Sequence, residues 1–144
     1  MTEKPTTQTM QAWSKLIRVE QTLMNEIETR LKAAKLPSLK WYDVLLELSR
    51  TPDGYLRPKM LEDSLLLSQY NISRLIDRMA KAGLVSSKPL PGDKRAQVIQ
   101  ITEQGRKIKD NIWQIYGPFI QEHMGDKLSE AEIATLINLL KKLQ

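Results

Sequence analysis

The chain has 144 residues, 41% hydrophobic and 27% charged, which fits one folded domain with a real core and excludes a disordered tail. It has no cysteine and a single histidine, His123, so disulfides, thiolate metal sites and thiol redox chemistry are excluded and no metal or cofactor site is expected. The formal net charge is +5; residues 57–95 alone hold eight bases against four acids, a concentration that suits a polyanionic partner.

The opening residues, MTEKPTTQTMQ, lack the apolar stretch of a secretory signal, and no apolar run approaches the ~20 residues that span a bilayer, so a cytoplasmic protein without a membrane partner is expected. From about Thr7 to Lys35 the apolar residues Met10, Trp13, Leu16, Ile17, Leu23, Met24, Ile27, Leu31 and Ala34 recur at helical spacing and predict a long amphipathic helix. Pro37-Ser38 is expected to end it and to cap a second helix, Leu39–Arg50, which is apolar at Trp41, Tyr42, Leu45, Leu46 and Leu48. Thr51-Pro52-Asp53-Gly54 reads as a turn, Tyr55-Leu56-Arg57 as a short strand, and Pro58–Leu65 as a two-turn helix opened by a first-turn proline.

Ser68 is the expected N-cap of the next helix, which runs to Ala82 and stops at Gly83. Leu84–Leu90 and Gln97–Thr102 then read as the strands of a hairpin whose loop carries Asp93, Lys94 and Arg95. Thr102 should cap a further helix with Ile108, Ile112, Ile115, Tyr116, Phe119 and Ile120 on one face, kinked or broken at Gly117-Pro118. Ser129 and Glu132 form a capping-box pattern at the head of the last helix, which carries Ile133, Leu136, Ile137 and Leu140. The order is α-α-β-α-α-β-β-α-α: a mainly α protein with a small β wing, a winged helix-turn-helix flanked by helices from both ends.

The chemistry concentrates in residues 68–102. Ile72, Leu75, Ile76 and Met79 mark the inner face of the 68–82 helix, and the opposite face presents Tyr70, Ser73, Arg74, Asp77, Arg78 and Lys81. Such a helix fits the major groove of a DNA duplex, where Gln69, Tyr70, Asn71, Ser73 and Arg74 would meet base edges. Arg95 on the wing is placed to enter a minor groove, with Asp93 holding its guanidinium in a fork, while Lys88 and Lys94 are phosphate contacts. A small enzyme would need a nucleophile–base pair or a metal set that this composition barely supplies, so no enzyme is expected.

These elements and the run GLVSSKPLPGDKRAQVIQITEQGRKI resemble the multiple-antibiotic-resistance regulator (MarR) family of bacterial transcription factors. The resemblance lies in Gly83-Leu84-Val85 entering the wing, Asp93-Lys94-Arg95-Ala96 in it and Ile101-Thr102-Glu103-Gln104-Gly105 leaving it. Ser87 stands where the family often has arginine, and the helix 58–65 reads Glu62-Asp63 where an alanine is usual. The resemblance implies dimerisation helices over 7–36 and 103–144 around a DNA-binding region over 38–102, with a recognition helix at 68–82 and a wing at 84–102. It further implies a homodimeric repressor of palindromic operators, released by a small aromatic or phenolic effector bound between the terminal helices and the winged region. Trp13, Leu16, Ile17, Trp41, Tyr42 and Leu45 could line that site, and the competing reading of these residues at helical spacing is that they are core. The competing reading is a winged-helix module that contacts other proteins without sequence-specific DNA binding.

Overall fold

Thr6 opens the first helix, α1 (Thr7–Ala33), in the computed structural model by accepting the Thr9 amide at 3.1 Å. The structure describes residues 2–51, 55–65, 69–90 and 92–144; for Tyr55, Ser64, Gln69, Tyr70, Leu90 and residues 93–96 only the backbone is described. The turn expected over residues 51–54 and the Ser68 cap therefore fall largely outside the described residues. The helix ends before Pro37, because Lys35 takes a left-handed conformation (φ 59°). The Leu36 amide reaches back to the Leu31 carbonyl at 2.9 Å and the Lys35 amide to Lys32 at 3.0 Å, closing the last turn with no help from the proline.

Ser38 precedes α2 (Leu39–Ser49) but its hydroxyl caps nothing, contrary to expectation. The head of the helix is held elsewhere: Glu28 of α1 accepts the Leu39 amide at 2.8 Å, bonding the two helices end to flank. Strand β1 (Tyr55–Leu56), α3 (Pro58–Leu65) and α4 (Gln69–Lys81) follow within two residues of the expected bounds. Gly83 (φ 80°) ends α4 in the left-handed region, with the Leu84 amide donating to Met79 and the Gly83 amide to Ala80, both at 3.0 Å.

Strands β2 (Val85–Leu90) and β3 (Asp93–Ile101) form the wing, and β1 pairs with the other side of β3 to give the antiparallel order β1-β3-β2. The hairpin is tighter than expected. Leu90 already pairs with Asp93 around Gly92 (φ 85°), so Asp93, Lys94 and Arg95 begin β3 and do not form a loop. Pro89 pairs with Gln97, leaving residues 94–96 opposite no residue of β2. Pro89 has no amide hydrogen for the ladder, and the register breaks there into a bulge, as it can on an edge strand.

Helix α5 (Glu103–Ile120) runs through Gly117-Pro118 without a break, so of the two expected outcomes the break does not occur. The irregularity follows it as a π-turn, Gln121–Gly125, closed by the Asp126 amide on the Gln121 carbonyl at 2.7 Å. The last helix, α6 (Glu130–Leu143), begins with the expected capping box: Ser129 Oγ accepts the Glu132 amide at 3.2 Å and Glu132 accepts the Ser129 amide at 2.9 Å.

Two hydrophobic clusters result. The winged core joins Leu45 and Leu48 of α2, Leu61 of α3, the inner face of α4 and Ile99 and Ile101 of β3. The second joins Ile27 and Leu31 of α1, Leu39 and Tyr42 of α2, and Ile112 and Phe119 of α5. Ile108 packs against both. Outside them, residues 2–22 of α1 and its lead-in are exposed, and α6 buries none of its residues.

Candidate nucleic-acid interface

Helix α4 is the centre of the site. Burial of Ile72, Leu75, Ile76 and Met79 in the winged core fixes its rotation and leaves Ser73, Arg74, Asp77, Arg78 and Lys81 exposed on the outer face, as the spacing predicts, with Asn71 exposed beside them. Gln69 and Tyr70 are its first two residues; their side chains lie outside the described residues. The two flanks of α4 differ in charge. On one, Asn71, Arg74 and Arg78 line, with Lys40 of α2, a cleft of about 220 Å³. On the other, Ser73 and Asp77 line, with Ser87 and Gln97 of the wing, a cleft of about 260 Å³. Lys40 is absent from the sequence-based set because it lies outside the basic segment 57–95.

On the wing, Lys88 is exposed on β2. Ser87 Oγ donates to Gln97 Oε1 across the hairpin, so the serine that replaces the family's frequent arginine braces the two strands. The backbone places Asp93, Lys94 and Arg95 at the head of β3, with Lys94 and Arg95 in the bulge; the proposed Asp93–Arg95 fork falls on side chains outside the described residues.

The motif Ile101-Thr102-x-x-Gly105 has a geometric reason that sequence alone did not give. Thr102 caps α5, its Oγ1 accepting the Gly105 amide at 3.0 Å. The same hydroxyl donates to the Gly83 carbonyl at 2.7 Å, and the Thr102 amide donates to Leu84 at 3.1 Å. A Cβ on Gly105 would overlap the Leu84 carbonyl oxygen and sit 2.9 Å from Ile101 Cγ1. The end of α4, the root of the wing and the start of α5 are therefore one weld.

The six residues expected around an effector lie in separate places. Trp13 is 67% exposed, and Leu16 and Ile17 are also exposed on α1. Trp41 and Leu45 pack in the winged core, whereas Tyr42 is buried in the second cluster. The aromatic neighbours of Tyr42 are on α5: Trp113, stacked at 6.5 Å, and Tyr116, edge-on at 5.6 Å. Burial pushes the Tyr42 and Tyr116 hydroxyls above the usual tyrosine range.

The π-turn carries a second cluster that sequence reading missed. Arg30 pairs with Glu26 at 3.0 Å and with Glu122 at 3.1 Å, and its guanidinium lies 5.0 Å from the centre of the Phe119 ring. His123, to which sequence reading gave no role, stacks on Phe119, holds its carbonyl at 2.9 Å and faces Glu26 at 3.4 Å. The hydrogen bond from Arg30 holds the Glu122 carboxyl below its ordinary range. Among the described residues no group of three or more His, Asp or Glu is arranged to hold a metal, and no helix is long and apolar enough to cross a membrane.

A two-stranded wing completed to a three-stranded sheet by β1, beside the paired helices α3 and α4 and flanked by helices from both sides of the sequence, defines a winged helix-turn-helix protein. Residues 36–96 match the model described as MarR family. The chain is 33% identical over 72 residues to the multiple antibiotic resistance protein MarR of Escherichia coli K12, a match covering half of each protein. Its fold superposes on Sco3205 of Streptomyces coelicolor, solved in complex with DNA, with a TM-score of 0.93 at 19% identity over 99% of this chain and 89% of that one. A mutant E. coli MarR complexed with operator DNA gives 0.81 at 25% identity, over 97% and 99%. The organohalide-sensing regulator RdhR in its 2,4-dichlorophenol-bound form gives 0.82 at 19% identity, over 99% and 86%. The chain is thus similar to MarR-family proteins over its central region and shares their fold.

Proposed function

We propose that this protein is a sequence-specific regulator of transcription that binds double-stranded DNA as a cytoplasmic homodimer and acts as a repressor of palindromic operators. The observation that carries this reading is the outer face of α4: five exposed polar side chains over two helical turns, held at a fixed rotation by four buried ones and flanked by the wing. Asn71 and Arg74 have the donors and acceptors for base edges, and Arg78, Lys88 and Lys94 are phosphate contacts. Gln69, Tyr70, Ser73, Asp93 and Arg95 complete the proposed contact set. The DNA complexes of Sco3205 and of E. coli MarR support this reading over a module that contacts only proteins.

The exposed apolar residues of α1, α5 and α6 supply the dimer surface, with Trp13, Ile17, Ile137, Leu140 and Leu143 among them. A small aromatic or phenolic molecule is the proposed effector, a reading supported by the 2,4-dichlorophenol-bound form of RdhR and by the rings of Tyr42, Trp113 and Tyr116 here. Such a ligand acts only by favouring a spacing of the two recognition helices that mismatches the operator.

The test is selection from a random duplex pool followed by gel shift. Enrichment of a palindrome, with affinity well above that for random duplex, is the expected result; binding without sequence preference, or none, overturns the reading. Titration of phenolic acids against the selected complex, read by tryptophan fluorescence and DNA release, then tests the effector.

A further inference from the structure

We propose that Lys40, at the head of α2, is a DNA-backbone contact that seats one phosphate beside the recognition helix and sets how that helix lies in the groove. This rests on the regulator reading above and adds a residue from outside the helix-turn-helix and the wing. Asn71, Arg74 and Arg78 are spaced three and four residues apart, so they form one stripe along α4. That stripe faces Lys40, and the four side chains, with Leu75 as the apolar floor, line a single open cleft. Three of those residues are cations and none is an acid. The cleft on the opposite flank of α4 has the reverse character, with Asp77 as its charged residue and no base.

A helix lying in the major groove has a sugar-phosphate strand on either side. Of the two clefts that flank α4, the one on the α2 side is lined by three cations and the one on the wing side by a carboxylate, so a phosphate seated directly against α4 is held on the α2 side. Lys40 is exposed and α2 is anchored by Leu45 and Leu48 in the winged core, so the ammonium is carried on the same rigid body as α4. A lysine ammonium is a point charge without the planar fork that reads guanine, so its contribution is affinity and register with no sequence preference.

The experiment measures binding of the full-length protein to two labelled duplexes of about 30 base pairs, long enough for two half-sites a turn apart. One has random sequence and the other is the sequence enriched by the unmodified protein. Salt is varied from about 50 to 200 mM. Lys40→Gln is expected to weaken both duplexes by the same factor and to make log affinity against log salt shallower by about one unit per half-site occupied. Lys127→Gln, the same charge loss in the turn before α6, is expected to leave the slope unchanged. Lys40→Arg is expected to restore it. An unchanged slope in Lys40→Gln while the unmodified protein binds DNA normally overturns this inference alone. An equal fall in Lys127→Gln also overturns it, since net charge would then explain the effect. Failure of the unmodified protein to bind either duplex overturns the regulator reading and this one with it.

Discussion

Gly105 shows how a single missing side chain is written into this fold. A methyl group there meets a backbone carbonyl, which cannot swing aside as a flexible side chain would. Gly105→Ala is therefore expected to lose about 1–3 kcal/mol, read as a lower urea midpoint with an unchanged slope. The weld it breaks also aims the wing, so DNA affinity should fall with stability. Arg95→Ala is expected to behave differently. As a proposed groove contact on the wing, it should leave the urea midpoint in place and weaken binding to every duplex, with a salt slope shallower by about one unit per half-site. Arg74→Ala should cost the selected sequence more than random DNA, the mark of a base-edge contact; an equal loss on both would assign it to the backbone.

Among the elements, those whose ends are decided locally were legible in the sequence. Pro58–Leu65 is observed as read, and the Ser129–Glu132 box is formed as read. The stop of α1 was not legible because Lys35 turns left-handed with no glycine to mark it, and the head of α2 was not legible because its partner is distant: Glu28 holds the Leu39 amide while Ser38 caps nothing. The same limit hid the cleft around Lys40, whose walls lie over thirty residues apart in sequence, and the helix-spanning Arg30 pairs. The face of α4 was legible because one helix contains its whole pattern.

Ser129→Ala is expected to cost α6 about 1 kcal/mol and to speed amide exchange in its first turn about five-fold. The carboxyls of Glu122 and Glu132 are both held below their ordinary value of 4.5, the first by Arg30 and the second by the Ser129 backbone amide. A carboxylate depressed in the folded state contributes stability above its unfolded value and loses it as pH falls through the folded one. Thermal stability should therefore decline as pH drops below about 4.5, within the ordinary carboxylate range. Glu122→Gln and Glu132→Gln together should flatten that limb; an acid limb unchanged in the double variant would assign it to other carboxylates.

The whole molecule leaves apolar surface uncovered at both ends of the chain: Ile137, Leu139, Leu140 and Leu143 on α6, and Met10, Trp13, Ile17 and Val19 on α1 are exposed. A second copy is the proposed cover, and sedimentation at micromolar concentration should give a dimer. Leu140→Glu should shift it to monomer or unfolded chain, since a carboxylate buried without a partner costs several kcal/mol. A monomer in the unmodified protein would end the dimer proposal. The weld of Thr102 and Gly105 gives this assembly its mechanics. Helix α5 has 18 residues and rises about 1.5 Å at each, so it is a rod of about 27 Å fixed at one end to the reading unit. Turning such a rod by about 10° carries its free end through about 5 Å, more than the ~3.4 Å between successive bases on a strand. With the far end clamped by a partner, the same turn swings the reading head. Under the proposed effector reading, a small shift among the rings of Tyr42, Trp113 and Tyr116 in the second cluster would be geared up at the DNA into a misfit of a full base step.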